Sequence, residues 1–415
     1  MAEPLRVLAV VSELLFGGDE NRLLALARTI DRSRFEFSVL TLKAPHPQLD
    51  PYYGSMRAQY AQAGIDVLDL GEGYPNQGRA LGSARRFFTS AAMLRRTLRG
   101  VCRVVRERRI DLIDTHGGPG GLIGAAAGVL TGRPRTLTTY HVEQWDPRWL
   151  WQIVHPWTLR AADTIFTDSD AVAGSVRAFL HGRAPRILVI PNGVVPPRSD
   201  RGVADLRAAF GLPLDPAVRV VGQISSLFPT KGHGVLLEAA PAILRAQPNT
   251  AFLMVGFVRR DVTYRARLEA RARELGIADR VRVVSYPGPI GDVWNVIDVQ
   301  AHPSMLDSLP NAIIEGMALA KPAVVTSVGG IPTLVEDGVT GLVVPPGDAD
   351  ALARGLIRLL ADEPYARGLA RAARARYERG YTPEHMTRRI ERAFLAAAGP
   401  QTLKRNSTTS PSCIT

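Results

Sequence analysis

Short runs of apolar residues alternate with longer amphipathic stretches along most of the chain. The first run, LRVLAVVS at residues 5–12, is rich in Val and Leu and is followed by a glycine pair and a helical segment from about Glu20 to Thr29. A continuous apolar run of this length is typical of a strand buried on both faces of a parallel sheet. The pattern recurs at residues 35–42, 65–70, 110–116, 135–141, 162–169 and 186–193. We therefore expect the first half to form one doubly wound α/β domain.

The pattern stops at VVPPRSDRG, residues 194–202, whose prolines, glycine and polar residues are typical of a linker. It resumes with apolar runs at 218–225, 251–257, 281–286, 296–304, 322–327 and 341–348. We predict two tandem Rossmann-like domains, residues 1–195 and 203–380, facing a central cleft. A helix at 381–398 is expected to pack back toward the N-terminal domain. The polar segment 399–415 has no periodicity and is predicted to be disordered.

The amino-acid composition is that of a soluble globular protein, with 415 residues of which 46% are hydrophobic and 22% charged. Two cysteines, Cys102 and Cys413, are too few for a disulfide framework or a cysteine-based zinc site. No signal-peptide pattern occurs, and no run approaches the roughly 20 apolar residues that span a bilayer. These features predict a cytoplasmic protein.

The formal net charge of +12 suits nucleic acid, an anionic membrane surface or a phosphate-bearing substrate as partner. A GC-rich coding sequence, which favours Arg and Ala, explains the same excess without any partner. The arginine-rich segment 84–109 intersperses its charges with apolar residues such as Met93 and Leu94 on a predicted helix. One hypothesis is peripheral contact of this helix with the inner face of the membrane or with an anionic acceptor. The alternative is an ordinary amphipathic helix with a solvated basic face.

The segment HPSMLDSLPNAIIEGMALAKP, residues 302–322, contains the start of a predicted helix. Pro310 suits the first helical position, and Ser308 or Leu309 is then the cap. Free backbone N–H groups near Asn311, together with the positive end of the helix dipole, form an anion site.

Two carboxylates flank this helix start. Asp307 precedes it, and Glu315 lies about one and a half turns inside, where a helical side chain can reach back toward the same mouth. Two fixed acceptors beside an N–H-lined pocket suit sugar hydroxyls near a diphosphate. A metal site is a weaker interpretation because His302 stands alone without a third carboxylate nearby. A capped helix with solvated acids is the simplest alternative.

Two further loops are expected at the same edge of the second sheet. GQISSLFPTKGHG ends a strand and places Lys231 at the start of the next helix, where a lysine acts as a point charge for phosphate. TSVGGIPTLVEDG, beginning at residue 326, is another glycine-rich turn from strand to helix. Ligands of open α/β sheets bind at the carboxyl ends of strands, so the three loops are expected to converge on one site.

The segment DSLPNAIIEGMALAKPAVVTSVGGIPTLVEDGVTGLVVPPGD, together with GGDEN, TTYH, ADTIFTDSDAV, VIPNGV and FPTKGH, resembles the GT-B nucleotide-sugar glycosyltransferases of glycosyltransferase family 4. The resemblance runs from Arg6 to about Leu395. It implies a retaining enzyme that needs no metal and no cofactor. Its co-substrate would be a nucleoside-diphosphate sugar, with UDP and GDP both open. Its partner would be a hydroxyl acceptor that the sequence does not name, and no nucleic acid.

The resemblance also implies roles for individual residues. Glu315 would hold the nucleotide ribose, Asp307 and the backbone after it the donor sugar, and Lys231 the diphosphate. His141 would meet the sugar from the N-terminal domain, and with Lys231 and Asp307 it forms the implied catalytic set. The implied donor-binding positions are Gly17, Gly18, Ser225, Ser226, Lys231, Tyr286, Asp307, Ser308, Leu309, Pro310, Asn311 and Glu315.

Two positions depart from the family pattern. Asp307-Ser308 stands where the family has a glutamate in a Glu-Gly context, and Ser226 stands where an arginine precedes the phosphate lysine by five positions. Arg259 or Arg260 is a candidate for the missing charge if its loop folds inward. These departures bear on which donor is used more than on the fold.

Other functions fit the sequence less well. An NAD-dependent dehydrogenase needs G-x-G-x-x-G after its first strand, and VVSELLFGGDEN does not match, while GGPGGLIG at 117–124 has Ile123 where the last glycine should fall. A non-catalytic protein that binds an anionic surface would not explain three phosphate-binding loops on one sheet edge. Another GT-B nucleotide-sugar enzyme, such as an epimerase, stays open.

Overall fold

The structure, a computed structural model, describes residues 3–14, 18–43, 56–72, 83–116, 118–138, 156–180, 185–257 and 263–405. It divides into two compact units. The first contains Met1–Pro191 with Pro383–Thr415, and the second contains Asn192–Thr382. Each unit has its own parallel sheet and its own hydrophobic core.

The first unit contains a seven-stranded parallel sheet. Its strands are β1 (Leu5–Val11), β2 (Phe35–Lys43), β3 (Asp66–Glu72), β4 (Leu112–His116), β5 (Arg135–Thr138), β6 (Thr164–Thr167) and β7 (Arg186–Val189). Its helices include α1 (Gly18–Thr29), α2 (Met56–Gln62), α3 (Ser83–Glu107), α4 (Gly118–Thr131) and α5 (Asp170–Phe179). The strand order is β3-β2-β1-β4-β5-β6-β7. The order in which strands are added changes from one side of the sheet to the other between β1 and β4, as in a doubly wound sheet.

The second unit contains a six-stranded parallel sheet. Its strands are β8 (Arg219–Ile224), β9 (Thr250–Val255), β10 (Val281–Val284), β11 (Val299–His302), β12 (Ala323–Thr326) and β13 (Leu342–Val344). Its helices are α6 (Val203–Ala209), α7 (His233–Ala246), α8 (Tyr264–Glu274), α9 (Ile290–Val296), α10 (Asn311–Ala318), α11 (Ile331–Leu334), α12 (Ala349–Ala361) and α13 (Glu363–Gly380). The strand order is β10-β9-β8-β11-β12-β13. All strands are parallel, and the order in which they are added changes from one side of the sheet to the other between β8 and β11.

The apolar runs of the sequence account for both sheets. Each of the thirteen runs overlaps a strand, and the central strands are buried on both faces, as in β9, where every residue is buried. In β1 only Arg6 is partly exposed. The prediction of two doubly wound α/β halves is confirmed.

The C-terminal helix α14 (Pro383–Arg405) completes the core of the first unit. The ring of its Phe394 lies 6.3 Å from that of Phe35 and 6.1 Å from that of Phe166. Gly399 has φ 70° and interrupts the helical backbone, which resumes and ends at Arg405. The predicted disordered tail began at Gly399, and residues 406–415 of it lie outside the described part of the chain. None of the described helices combines the length and the apolar character that crossing a bilayer requires.

Candidate functional site

The polar residues of interest in the second unit follow strands that are neighbours at the reversal point of the sheet. Lys231 ends a short 3₁₀ turn after β8, and Asp307 lies in the loop after β11, which is hydrogen-bonded to β8. Crevices at the carboxyl ends of strands, at the point where strand order reverses, are where open α/β sheets bind ligands.

Backbone hydrogen bonds join these two loops. The carbonyl of Thr230 accepts from the N–H of Met305 at 2.7 Å and from that of Leu306 at 3.3 Å. Gly232, with φ 73°, lies so close to the second loop that a Cβ would come within 1.8 Å of the carbonyl oxygen of Pro303. Only glycine allows this backbone conformation at this separation.

The glycine-rich turn after β12 packs against the same place. The N–H of Gly330 donates to the carbonyl of Ser308 at 2.6 Å. Gly329 has φ 53°, and a Cβ there would stand 1.8 Å from the carbonyl oxygen of Asp307. The prediction that three loops converge at one edge of the second sheet is therefore confirmed.

The carboxylate of Asp307 is the centre of a buried polar cluster. Its Oδ2 accepts from Lys231 Nζ at 2.8 Å and from Ser304 Oγ at 3.0 Å, and His302 Nε2 lies 3.1 Å away. Its Oδ1 accepts from the N–H of Ser308 at 3.2 Å. Burial opposes ionisation, but the His302 bond and the Lys231 charge outweigh it and hold the pKa of Asp307 well below its ordinary value. Asp307 is therefore an ionised carboxylate with one oxygen fully engaged.

The N-terminus of α10 has no side-chain cap. Pro310 occupies the cap position with φ −68° and ψ 122°, and its carbonyl accepts from the N–H of Ile313 at 3.0 Å. The helix therefore begins at Asn311, one residue later than predicted, because the proline backbone supplies the cap. The first N–H groups of α10 are not covered by a capping side chain, which is the condition for binding an anion there.

Several of the predicted donor-binding residues at the start of α10 have side chains that are buried or already hydrogen-bonded. The side chain of Leu309 is buried in the hydrophobic core, while that of Ser308 is half-buried. The side chain of Asn311 accepts a hydrogen bond from Asn192 Nδ2 at 2.9 Å. Leu309 therefore has only its backbone groups to offer a ligand directly, and the side-chain oxygen of Asn311 is already engaged.

Glu315 is held by a tryptophan on a neighbouring helix. Its Oε2 accepts from Trp294 Nε1 at 2.8 Å, and Trp294 is fully buried. No partner of Oε1 is found within the described ranges. Burial raises the pKa of Glu315, and the Trp294 bond acts in the opposite direction. The carboxylate is thus oriented through one oxygen and leaves the other as an acceptor.

The residues at the end of β8 surround a buried histidine. Ser225 Oγ lies 3.2 Å from His233 Nε2, and Gln223 Nε2 donates to the carbonyl of Lys231 at 2.7 Å. Ser226 is half-buried beside them. Burial, and to a smaller extent the nearby His302 and Lys231, lower the pKa of His233 to about 4. His233 is therefore neutral at pH 7 and adds no charge beside Lys231.

The neutral His233 makes stability depend on pH. Its ordinary pKa is 6.5, so between pH 6.5 and 4 the unfolded chain takes up a proton that the folded chain does not. Stability present above pH 6.5 is lost as pH falls, by about 2 kcal/mol at pH 5. We expect His233→Gln to remove this part of the dependence in urea unfolding at pH 7 and pH 5. An unchanged difference between the two pH values would contradict it.

Tyr286 is engaged with residues of the linker and α9. Its hydroxyl donates to Asp292 and lies 3.3 Å from a guanidinium nitrogen of Arg201, and its ring is 5.0 Å from that of Phe210. Burial and the Asp292 bond raise its pKa. This hydroxyl is therefore occupied within the second unit.

Other predicted site residues have no described environment. Gly17, His141 and the pair Arg259 and Arg260 lie outside the described residues. Gly18 is the first residue of α1 and is exposed. Wherever the structure describes the chain, no group of three or more His, Cys, Asp or Glu side chains is arranged to hold a metal ion.

The first unit has a buried polar cluster on β4 and β5 that sequence reasoning missed. Asp114 accepts from Thr136 Oγ1 at 2.7 Å through Oδ1, and its Oδ2 lies 3.1 Å from His116 Nε2. At the end of β1, Ser12 Oγ accepts from the N–H of Gly120 at 3.0 Å. The segment IDLIDTH predicted a strand, but nothing in it indicated that the side chains of Asp114 and His116 would be buried together.

Sequence reasoning considered His302 only as a metal ligand, and it missed Ser304 and Trp294. His302 and Ser304 stand at the end of β11 in the motif HPS, so their position at the carboxyl edge was a usable signal. Trp294 had no such signal, because it lies on α9 and meets Glu315 only through folding.

Two family models match the chain and together cover most of it. Residues 17–193 match the glycosyl transferase 4-like domain, and residues 207–376 match glycosyl transferases group 1. The two matched ranges coincide with the two α/β halves.

Named relatives share about a third of their residues with the matched part. A D-inositol 3-phosphate glycosyltransferase of Corynebacterium urealyticum is 30% identical over 236 residues, which are 55% of this chain and 53% of that protein. A 2-deoxystreptamine glucosyltransferase of Streptomyces kanamyceticus is 30% identical over 259 residues, which are 58% of this chain and 65% of that protein. The matches therefore span less than two thirds of either relative.

A solved structure has the same fold over nearly the whole chain. Anabaena Alr3699/HepE, crystallised in complex with UDP-glucose, superposes with a TM-score of 0.75 at 23% identity, covering 94% of this chain and 99% of that one. The two-domain Rossmann-like GT-B fold predicted from the sequence is confirmed. With a glycosyl transferase 4-like domain followed by a glycosyl transferases group 1 domain, the chain belongs to the GT-B glycosyltransferases of the family 4 type.

Proposed function

We propose that the protein is a retaining glycosyltransferase that moves a sugar from a nucleoside-diphosphate sugar to an acceptor hydroxyl. The observation that carries the proposal is the convergence of Lys231, the uncapped start of α10 and Glu315 at the carboxyl edge of the second sheet. Each of the three matches one part of a nucleotide sugar. The charge of Lys231 suits the diphosphate, the N–H groups of α10 suit the diphosphate oxygens, and the carboxylate of Glu315 accepts from hydroxyls.

We assign each of these residues to one part of the donor. The free oxygen of Glu315 accepts from the ribose hydroxyls, and Lys231 with the first N–H groups of α10 binds the diphosphate. Oδ1 of Asp307, which has one N–H partner, accepts from a hydroxyl of the donor sugar. These assignments keep the roles that the family resemblance implies.

The reaction needs charge stabilisation more than proton transfer. The bond between the anomeric carbon and the diphosphate oxygen breaks, and the diphosphate leaves with the electron pair. Lys231 and the helix N-terminus stabilise the negative charge as it develops. The acceptor hydroxyl attacks on the face that the diphosphate leaves, and its proton passes to the departing diphosphate oxygen, so the configuration is retained. Asp307 and Glu315 bind and orient, and neither acts as a general acid or base.

The relatives guide the choice of substrates. UDP-glucose bound to Alr3699/HepE makes uridine donors the first to test, with GDP sugars as the alternative. The named acceptors of the two relatives, D-inositol 3-phosphate and 2-deoxystreptamine, are both polyhydroxylated six-membered carbocycles. Compounds of this class are therefore the first acceptors to test.

Product formation tests the proposal. UDP-glucose, UDP-N-acetylglucosamine and GDP-mannose are each incubated with inositol phosphates, 2-deoxystreptamine and glucose, with and without EDTA. We expect one donor to release its nucleoside diphosphate faster when an acceptor is present, at a rate that EDTA does not change. If the donor is consumed without formation of a glycosylated product, the protein is not a transferase. If EDTA abolishes the rate, the reaction needs a metal and the proposed metal independence is wrong.

We further propose that the protein works in the cytoplasm, in peripheral contact with anionic lipid through α3. Met93 and Leu94 of this helix are exposed by 40% and 46%. One helical turn apart, Arg95, Arg99 and Arg103 are exposed, and within the described ranges none has an ion-pair partner. Like charges four residues apart repel each other, so an anionic surface would relieve this stripe.

Flotation with vesicles tests the lipid contact. We expect the protein to float with vesicles of phosphatidylglycerol and phosphatidylcholine at low salt, and the triple change of Arg95, Arg99 and Arg103 to Glu to abolish this. The matched control changes three exposed arginines of the second unit to Glu, namely Arg245, Arg371 and Arg379. If the wild type stays in solution, or the control loses binding equally, the α3 contact is wrong.

A further inference from the structure

Two of the hydrogen bonds to Asp307 come from buried residues to which the proposed function gives no contact with the donor. His302 and Ser304 are fully buried and reach the same oxygen, Oδ2, that binds the ammonium of Lys231. We propose that His302 and Ser304 are positioning residues, which hold Asp307 and through it set the place of Lys231 for transfer. This inference rests on the proposed function.

The sheet fixes both donors. His302 is the last residue of β11 and is paired in register with Val325 of β12. The carbonyl of Ser304 accepts from Thr326 Oγ1 at 2.6 Å. One donor thus lies at the end of a central strand and the other is bonded through its backbone to the neighbouring strand, so both have little freedom to move and the carboxylate that they hold is placed accurately.

The cluster solves a problem that binding of a diphosphate creates. Lys231 is 24% exposed and its ammonium has further N–H groups to donate to a phosphate, while the side chain of Asp307 is only 8% exposed. A buried carboxylate that loses its only partner is strongly destabilised. The bonds from His302 and Ser304 remain when a phosphate shares the charge of Lys231, so Asp307 stays ionised and its Oδ1 keeps its direction.

The same geometry explains an aspartate at this position. The donors lie five and three residues before Asp307, on the strand and at its immediate end. A glutamate carboxylate would extend one methylene further into the crevice and away from both. The length of the aspartate side chain therefore suits the buried donors. Replacing it with glutamate would change the hydrogen bonds from His302 and Ser304 as well as the reach of the carboxylate.

A double-mutant cycle tests the inference. His302→Leu removes the donor, and His302→Gln keeps an N–H at similar reach. We expect His302→Leu to lower kcat by about 10-fold, the effect of losing one hydrogen bond to a charged group, with a smaller change in donor KM. His302→Gln should recover most of the rate. In an Asp307→Asn background, His302→Leu should have little further effect.

A second cycle needs no substrate. His302→Leu and Lys231→Met are compared singly and together in urea unfolding, and we expect their shifts of the midpoint to be non-additive, because both act on one carboxylate. Additive shifts, or wild-type kcat for His302→Leu, would overturn the positioning role. If the wild type neither binds nor turns over any nucleotide sugar, the proposed function fails, and the unfolding cycle still decides whether the cluster is coupled.

Discussion

Replacement of Lys231 by alanine is expected to lower the rate of sugar transfer by about 100-fold or more. The ammonium is fixed at the reversal point of the second sheet by its 2.8 Å contact with Asp307, at the edge where the N-terminus of α10 also opens. A preorganised charge of this kind acts on the leaving diphosphate only as the bond breaks. Its loss therefore appears in kcat more than in binding of the intact donor.

The fold should tolerate this change. Lys231 is partly exposed, and without it Asp307 keeps the bonds from His302 and Ser304. Circular dichroism and urea unfolding check that the variant is folded, and Arg245→Ala, an exposed change on α7, is the matched control. Near-normal turnover of Lys231→Ala with any donor would remove the basis for placing the diphosphate here.

Alanine at Asp307 and alanine at Glu315 are expected to have different effects. Glu315→Ala should weaken binding of the free nucleoside diphosphate by about 10- to 100-fold, the range for hydrogen bonds to a charged group. Asp307→Ala should leave that affinity unchanged or raise it, because it releases Lys231 to the phosphates. The same variant should lower transfer about 100-fold, because the sugar is no longer oriented. Calorimetric titration and initial rates measure the two effects separately.

Conservative variants sharpen this contrast. Glu315→Gln keeps an oxygen that can accept from Trp294, so it separates loss of orientation from loss of charge. Asp307→Glu should change the preferred donor sugar more than the affinity for nucleotide. If Asp307→Ala loses nucleotide affinity as badly as Glu315→Ala, or keeps full activity, the division of roles between the two carboxylates is wrong.

The sequence was sufficient for the architecture because buried parallel strands leave a strong local signal. Each run rich in Val, Ile and Leu overlaps the strand that it forms, and the chain passes from the first unit to the second at Pro191–Asn192, just before the predicted linker. The convergence of the loops at Lys231 and Asp307 followed from the same rule, since the carboxyl ends of parallel strands share one edge.

The details of the site were not accessible in this way. His302 is isolated in the sequence, and its contact with Asp307 depends on the path of the loop after β11. Leu309 and Tyr286 stand at positions that family motifs mark for the donor, but the first side chain is buried in the core and the second is bonded to Asp292. Side-chain direction in a loop is set by packing, which a local pattern does not contain.

The central claim, that the carboxyl edge of the second sheet binds a nucleoside diphosphate, is tested most directly by titration. UDP, GDP, ADP and CMP are titrated into the wild type, Glu315→Ala and Arg245→Ala in the presence of EDTA. We predict saturable binding of UDP or GDP to the wild type and to Arg245→Ala, and binding at least about 10-fold weaker to Glu315→Ala. Absence of binding to the wild type, or equal affinity in all three proteins, would contradict the account.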